Sequence, residues 1–270
     1  MHWLQQQKPT KRILYLAFLL TLLSVGRADD QPVEVFHYWT TASEAKSISV
    51  LKRLVAEAGY SWQDATVEGA AGENAFNSLE DRILASDAPD IGQIKGRDIQ
   101  RWARLGVLQP LSSINADLSW QASLPEEFLD HLKLNGELYA IPIHIHRTNW
   151  LWLNQEALEQ TGLAAPRTWP EFMALAQALD KLGYPVIAQS LDNWQLATLF
   201  EGLVIATHGA DFYRQVFVDL SFRAARSDEM AEVFNRLRQM QPYFIAERET
   251  ATWDENAIAV ADGYAAMMFM

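Results

Sequence analysis

The chain has no cysteine. That absence excludes disulfides, thiolate metal centres, iron–sulfur clusters, a cysteine nucleophile and a lipid-anchored cysteine. Positive charge is scarce, with 22 Lys and Arg against 34 Asp and Glu and a net charge of −12. Phosphate binding needs clustered positive charge, so this balance argues against a nucleic-acid partner. No internal repeat and no low-complexity linker interrupts the chain. Beyond the N-terminus no apolar run is long enough to span a bilayer. The Gly-x-Ser-x-Gly elbow, the Walker loop and the His-Glu-x-x-His zinc helix are all missing.

What is present is a chain of 270 residues, 49% apolar and 21% charged. It is long enough for two domains and apolar enough to bury their cores. Lys8, Lys11 and Arg12 precede an apolar run from Ile13 to about Val25, and Gly26-Arg27-Ala28 follows. A basic n-region, a short h-region and small residues before the cut read as a secretory signal over residues 1–28, cleaved after Ala28. The alternative is a retained anchor, for which the run is shorter than the roughly 20 residues a span needs. Cleavage removes Lys8, Lys11, Arg12 and Arg27 and no acid, so the exported chain is more acidic still.

Strand-like and helical stretches alternate after the leader. Val33–Trp39 reads as a strand, followed by an amphipathic helix ending at Gly59. A strand near 65–68, the turn Gly69–Gly72, a helix over 74–85, a strand over 90–94 and a helix over 97–105 continue the pattern. Such alternation predicts βαβ units and a parallel sheet. Asn135-Gly136 between apolar flanks predicts a type I′ hairpin. Thr168-Trp-Pro-Glu171 is a capping box opening a helix to about Leu182. Further helices are expected at 193–207, 209–216, 228–239 and 254–262, and a final strand at 264–270. That strand ends the chain without a polar tail, so it is expected to be exposed, an aggregation hazard, and the mark of a fragment.

Candidate chemistry is dominated by aromatics. Trp is used ten times, and Trp39, Trp150 and Trp152 fall where strands end or cross. Ligands of open parallel sheets sit at the carboxyl ends of strands, and a flat indole suits the CH face of a sugar. Trp62, Trp102, Trp120 and Trp169 read instead as core. His144-x-His146 puts two imidazoles on one side of an extended segment, but no third ligand is recognisable, so neither metal nor another cofactor is expected. Gly69-Ala-Ala-Gly72 lacks the end of a phosphate loop and reads as a surface turn.

Four stretches carry a resemblance: Val33-Glu-Val-Phe-His-Tyr-Trp-Thr-Thr-Ala-Ser-Glu44, Gln93-Ile-Lys-Gly96, Ile145-His-Arg-Thr-Asn-Trp-Leu-Trp-Leu-Asn154, and Trp253 with Gly263-Tyr-Ala-Ala-Met267. Together they resemble periplasmic sugar-binding proteins of ABC transporters, in the glucose and aldose branch. The resemblance implies an α/β, two-lobed periplasmic-binding-protein fold with a ligand cleft between lobes. The N-terminal lobe would run over 29–140, the second over 141–263, and 264–270 would return towards the first lobe before the chain stops, leaving the second lobe and hinge incomplete. It implies non-catalytic capture of a monosaccharide in the periplasm and its delivery to permease subunits, by a monomer. Site residues carried over are Tyr38 and Trp39 flanking the sugar, Glu44 accepting hydroxyl protons, Lys95 donating to sugar oxygens, and Trp253 stacking from the second lobe. His146 and Trp194 lie in similar segments.

Plainer readings stand beside these. Glu44 sits three residues after Thr41 and can complete a capping box, and Lys95 can be a solvated charge. A sugar-sensing module for a receptor and a secreted carbohydrate-active hydrolase remain as alternative functions. Because family members run well past residue 270, the chain alone is expected to bind sugar weakly or not at all.

Overall fold

The computed structural model describes residues 31–68, 73–113 and 119–270. Residues 1–28, read above as a leader, and Gly69–Gly72 lie outside the described residues. Among those described, the chain divides into two compact units, one of residues 31–67 with 79–93, the other of 68–78 with 94–270.

The first unit is built on a parallel sheet in the order β2-β1-β3, with β1 at Val33–His37, β2 at Trp62–Thr66 and β3 at Ile91–Gly92. β2 begins three residues before its expected start, because its register on β1 runs from Val33↔Trp62 to His37↔Thr66. Between the strands run α1 (Ala42–Glu57) and α2 (Glu73–Leu84), whose Ile48 and Leu79 are buried, as are Val35 and Phe36 of β1. Alternate residues of a strand face opposite sides, so burial of both Val35 and Phe36 marks β1 as the central, doubly covered strand. Asp64 ties β2 to its neighbours, accepting from Trp62 Nε1 (2.6 Å), pairing with His37 Nε2 (3.2 Å) and bonding Lys52 of α1. Arg82 grips the Glu34 carboxylate through both terminal nitrogens, at 3.0 and 2.8 Å.

The second unit opens with α3 (Asp98–Arg104) and α4 (Glu126–Leu132), then the hairpin β4 (Lys133–Leu134) and β5 (Glu137–Leu138). Asn135 (φ 53°) and Gly136 (φ 83°) are both left-handed, as the expected type I′ turn requires. Ile99, Leu132 and Leu138 form a small core with Trp120 against it. Further on come β6 (Leu151–Leu153), α5 (Gln155–Thr161), α6 (Trp169–Lys181), α7 (Asn193–Tyr213), α8 (Asp228–Met240), α9 (Trp253–Ala261) and β7 (Met267–Phe269). Thr168 and Glu171 close the expected capping box on α6. The two helices expected over 193–216 form one run, kinked at Gly209 (φ 82°, ψ −179°).

β6 pairs antiparallel with β7. On the other side of β7, Met267 bridges Ile187 in parallel, and Ile187 bridges Phe244 in parallel. The last strand therefore has backbone neighbours on both edges. Contrary to expectation it is not exposed, since Ala265 through Met268 are all buried and Met267 joins the core of Leu175, Leu179, Val204 and Met240. Of the four indoles read as core, Trp102 is buried. Trp62, Trp120 and Trp169 are half-buried, and the ring N–H of Trp169 donates to Gln239 (3.2 Å). An indole N–H needs a partner, which keeps such rings near a polar boundary.

Candidate functional site

In the first unit the structure brings Tyr38, Trp39 and Glu44 close together in the turn from β1 into α1. Trp39 is 5% exposed. The Tyr38 backbone N–H donates to Gln93 Oε1 (3.1 Å), and its phenol is pushed up to about 12, by burial first and then by the charge of Glu44. Glu44 Oε2 accepts from the N–H groups of Thr40 (3.1 Å) and Thr41 (3.0 Å) and from the Thr41 hydroxyl (2.8 Å). That oxygen fastens the start of α1.

Lys95, His146, Trp194 and Trp253 all belong to the second unit. Lys95 is exposed, in the loop between β3 and α3. Trp194 and Trp253 follow the carboxyl ends of neighbouring segments of a small sheet. Segments 186–188 and 243–245 run parallel with β7, joined by Ile187 N–H to Tyr243 O (3.0 Å), Ile245 N–H to Ile187 O (3.0 Å) and Ala188 N–H to Met267 O (2.8 Å). Trp194 follows the carboxyl end of the first segment and Trp253 that of the second. The connecting loops are stitched together, with Leu191 N–H donating to Glu249 O (2.8 Å), Ser190 Oγ to the same carbonyl (3.1 Å) and Gln195 Nε2 to Ala251 O (3.4 Å). Trp194 thus sits beside one end of the stitching and Trp253 two residues beyond the other.

Because β6 is antiparallel to β7, its beginning lies at this same end. Trp150 and Met270 exchange backbone bonds at 3.3 and 3.2 Å. Trp150 stacks on Trp152 with centroids 5.5 Å apart, and Arg147 lies 4.9 Å over the Trp150 ring. His146 stacks on His144 at 4.9 Å, so the two rings do share a side, although residues 141–150 form no strand. Among the described residues no group of three His, Asp or Glu is arranged to hold a metal.

A groove of about 900 Å³ runs beside α9, lined by Trp152, Trp253, Asn154, Glu156, Glu159 and Asp262. Two indoles with carboxylate and amide neighbours can offer a polyol both stacking and hydrogen-bond acceptance. Sequence reasoning named Trp253 and Trp152 but missed the polar wall. Only Asn154 carried a signal, as an Asn just ahead of a helix; Glu156, Glu159 and Asp262 belong to no motif. Among the described residues no helix is long and apolar enough to cross a membrane.

The comparisons agree on one family. The family model described as bacterial extracellular solute-binding protein matches residues 42–270. A probable sugar-binding periplasmic protein of Brucella suis biovar 1 is 34% identical over 255 residues, covering 94% of this chain and 60% of the relative. A protein of the same description from Rhizobium meliloti is also 34% identical, with 61% of it covered. The chain thus spans about three fifths of the length of these relatives. Among solved structures, a chitin oligosaccharide binding protein superposes with a TM-score of 0.74 at 22% identity, over 88% of this chain and 61% of that one. The bacterial solute receptor AcbH gives 0.73 at 19%, over 88% and 60%. These likenesses establish a mixed α/β solute-binding fold, and with the match over residues 42–270 the chain belongs to the bacterial extracellular solute-binding protein family.

Proposed function

We propose that this chain captures a sugar in the periplasm for an ABC transporter and hands it, without chemistry, to the permease subunits. The sugar is an aldose monosaccharide of the glucose class, and the receptor acts as a monomer exported through cleavage after Ala28. The two lobes run over 29–140 and 141–263, followed by 264–270. The residues that meet the sugar are Tyr38, Trp39, Glu44, Lys95, His146, Trp194 and Trp253. The sugar-binding description of the relatives supports this reading. The observation that carries it is the stitching of the loops before Trp194 and Trp253 at the carboxyl ends of parallel segments, where ligands of such sheets sit.

The test is a titration of residues 29–270 with glucose, galactose, mannose and maltose, following tryptophan emission. One aldose should give a saturable change, weak because the chain spans three fifths of its relatives, with a Kd of ~1 mM or above, about −4 kcal/mol. Loss of that change in Trp253→Ala assigns the ring. A sample indifferent to every sugar both as residues 29–270 and when extended to the full length of its relatives overturns the reading.

A further inference from the structure

Helix α7 does not end where its first regular stretch ends. After the kink at Gly209 it runs through Tyr213 into a π-helical turn over Arg214–Val218. That turn is stapled to itself, with Asp219 N–H donating to Arg214 O (2.9 Å) and Ser221 N–H to Gln215 O (2.9 Å), and Leu220 is left-handed at φ 53°. The last carbonyls of a helix lack partners within it and carry the negative end of its dipole. Here the carbonyl of Val218 receives Nη2 of Arg97, at 2.6 Å and across 121 positions of sequence. Nearby, the Tyr213 hydroxyl donates to Glu201 (2.6 Å). The Tyr213 phenol is raised by burial first and then by Glu201, while the charge of Arg97 pulls it the other way.

We infer that Arg97 is a positioning residue, a tether that caps the end of α7 from the loop ahead of α3 and so holds Lys95, two residues away, in register with the helix whose first turn carries Trp194. Arg97 precedes α3 directly, so its backbone is ordered by that helix, and its planar donors suit an exposed carbonyl at a helix end. The role of Lys95 as a sugar donor rests on the function proposed above; the tether does not.

The absence of cysteine makes the test clean. Leu105→Cys and Phe222→Cys introduce two labelling sites at side chains 68% and 72% exposed, one just beyond α3 and one just beyond the stapled turn. Spin labels there should give a single narrow distance distribution in the absence of sugar. Adding Arg97→Ala should broaden it at least twofold, and Arg97→Lys, which still donates to a carbonyl, should largely restore it. A distribution unchanged by Arg97→Ala overturns the tether. Should the labelled alanine variant fail to fold, amide exchange in unlabelled Arg97→Gln decides instead, with faster exchange at Asp219 and Ser221 supporting the tether and unchanged exchange overturning it. If neither the parent chain nor its full-length form binds a sugar, the functional reading fails while the distance and exchange measurements still decide on Arg97.

Discussion

Asn154 Nδ2 donates to the carbonyl of Val260 at 2.9 Å, while Oδ1 of the same side chain accepts from Ala157 N–H at 3.0 Å. One amide therefore caps the start of α5 and satisfies an end-of-helix carbonyl of α9, and its backbone N–H reaches Ala266 (2.8 Å) just ahead of β7. Asn154→Ala should destabilise the chain by about 1–2 kcal/mol, from the loss of the cap and of one side-chain bond to a carbonyl that Gly263 N–H still meets (3.2 Å). Asn154→Asp retains the cap and should recover part of that. Urea unfolding followed by tryptophan emission separates the two variants.

Ile187 bridges two parallel neighbours and is fully buried. Truncation to alanine leaves a cavity in the core it shares with Leu175, Leu179 and Val204, and should cost ~2–5 kcal/mol. The readout is the urea midpoint; a cost below the lower bound would mean that the site collapses around the missing atoms.

Gly209 combines φ 82° with ψ −179°, a conformation essentially closed to other residues, although an added Cβ would meet nothing within 4 Å. Gly209→Ala is therefore a test of backbone strain without steric clash, expected at about 1–3 kcal/mol and visible as a lowered Tm. An unchanged Tm would show that the kink relaxes freely.

Asp64 titrates far below its ordinary range, at about 2. Burial pushes it up, and the bonds from Lys52, Trp62 and His37, with the Lys52 charge, outweigh that. The folded value lies below the unfolded one, so the contribution is complete above about pH 4 and is lost as pH falls towards 2. With the side chain 39% exposed, solvent screening holds it to about 1 kcal/mol. Asp64→Asn should flatten the acid limb of a stability–pH curve, and an unaltered limb would remove Asp64 as its cause.

Trp253 lines the groove beside α9 and begins that helix under the Thr252 cap. Trp253→Phe keeps an aromatic face and should retain sugar-induced emission changes from the other indoles, whereas Trp253→Ala should weaken binding roughly tenfold, about 1.4 kcal/mol. Equal affinities for the alanine variant and the parent would place the stacking ring elsewhere.

Much of the local structure was legible because it depends on near neighbours. Thr168 with Glu171 names the start of α6, and Asn135-Gly136 names the hairpin, since both act within four residues. The alternation of apolar strands and amphipathic helices announced the parallel sheet of the first unit. Boundaries were less legible where pairing sets them. β2 begins at Trp62 because β1 begins at Val33, and β3 shrinks to Ile91–Gly92 because only Val35 and Phe36 pair with it. The capping role of Glu44, open from sequence, is visible in its three bonds to Thr40 and Thr41.

The sequence by itself determined the chemical class of the chain: acidic, free of cysteine, rich in indoles, with caps and turns in place and four stretches that point to one family. Only tertiary structure decided which of those indoles meet. Trp102 packs inward while Trp150, Trp152, Trp194 and Trp253 gather at one end of a sheet, because segments 186–188, 243–245 and β7 come together from positions up to 80 residues apart. The same pairing buried the terminal strand that composition alone left exposed. Burial and pairing are properties of the partner surface, and a partner distant in sequence leaves no local trace of where it will lie.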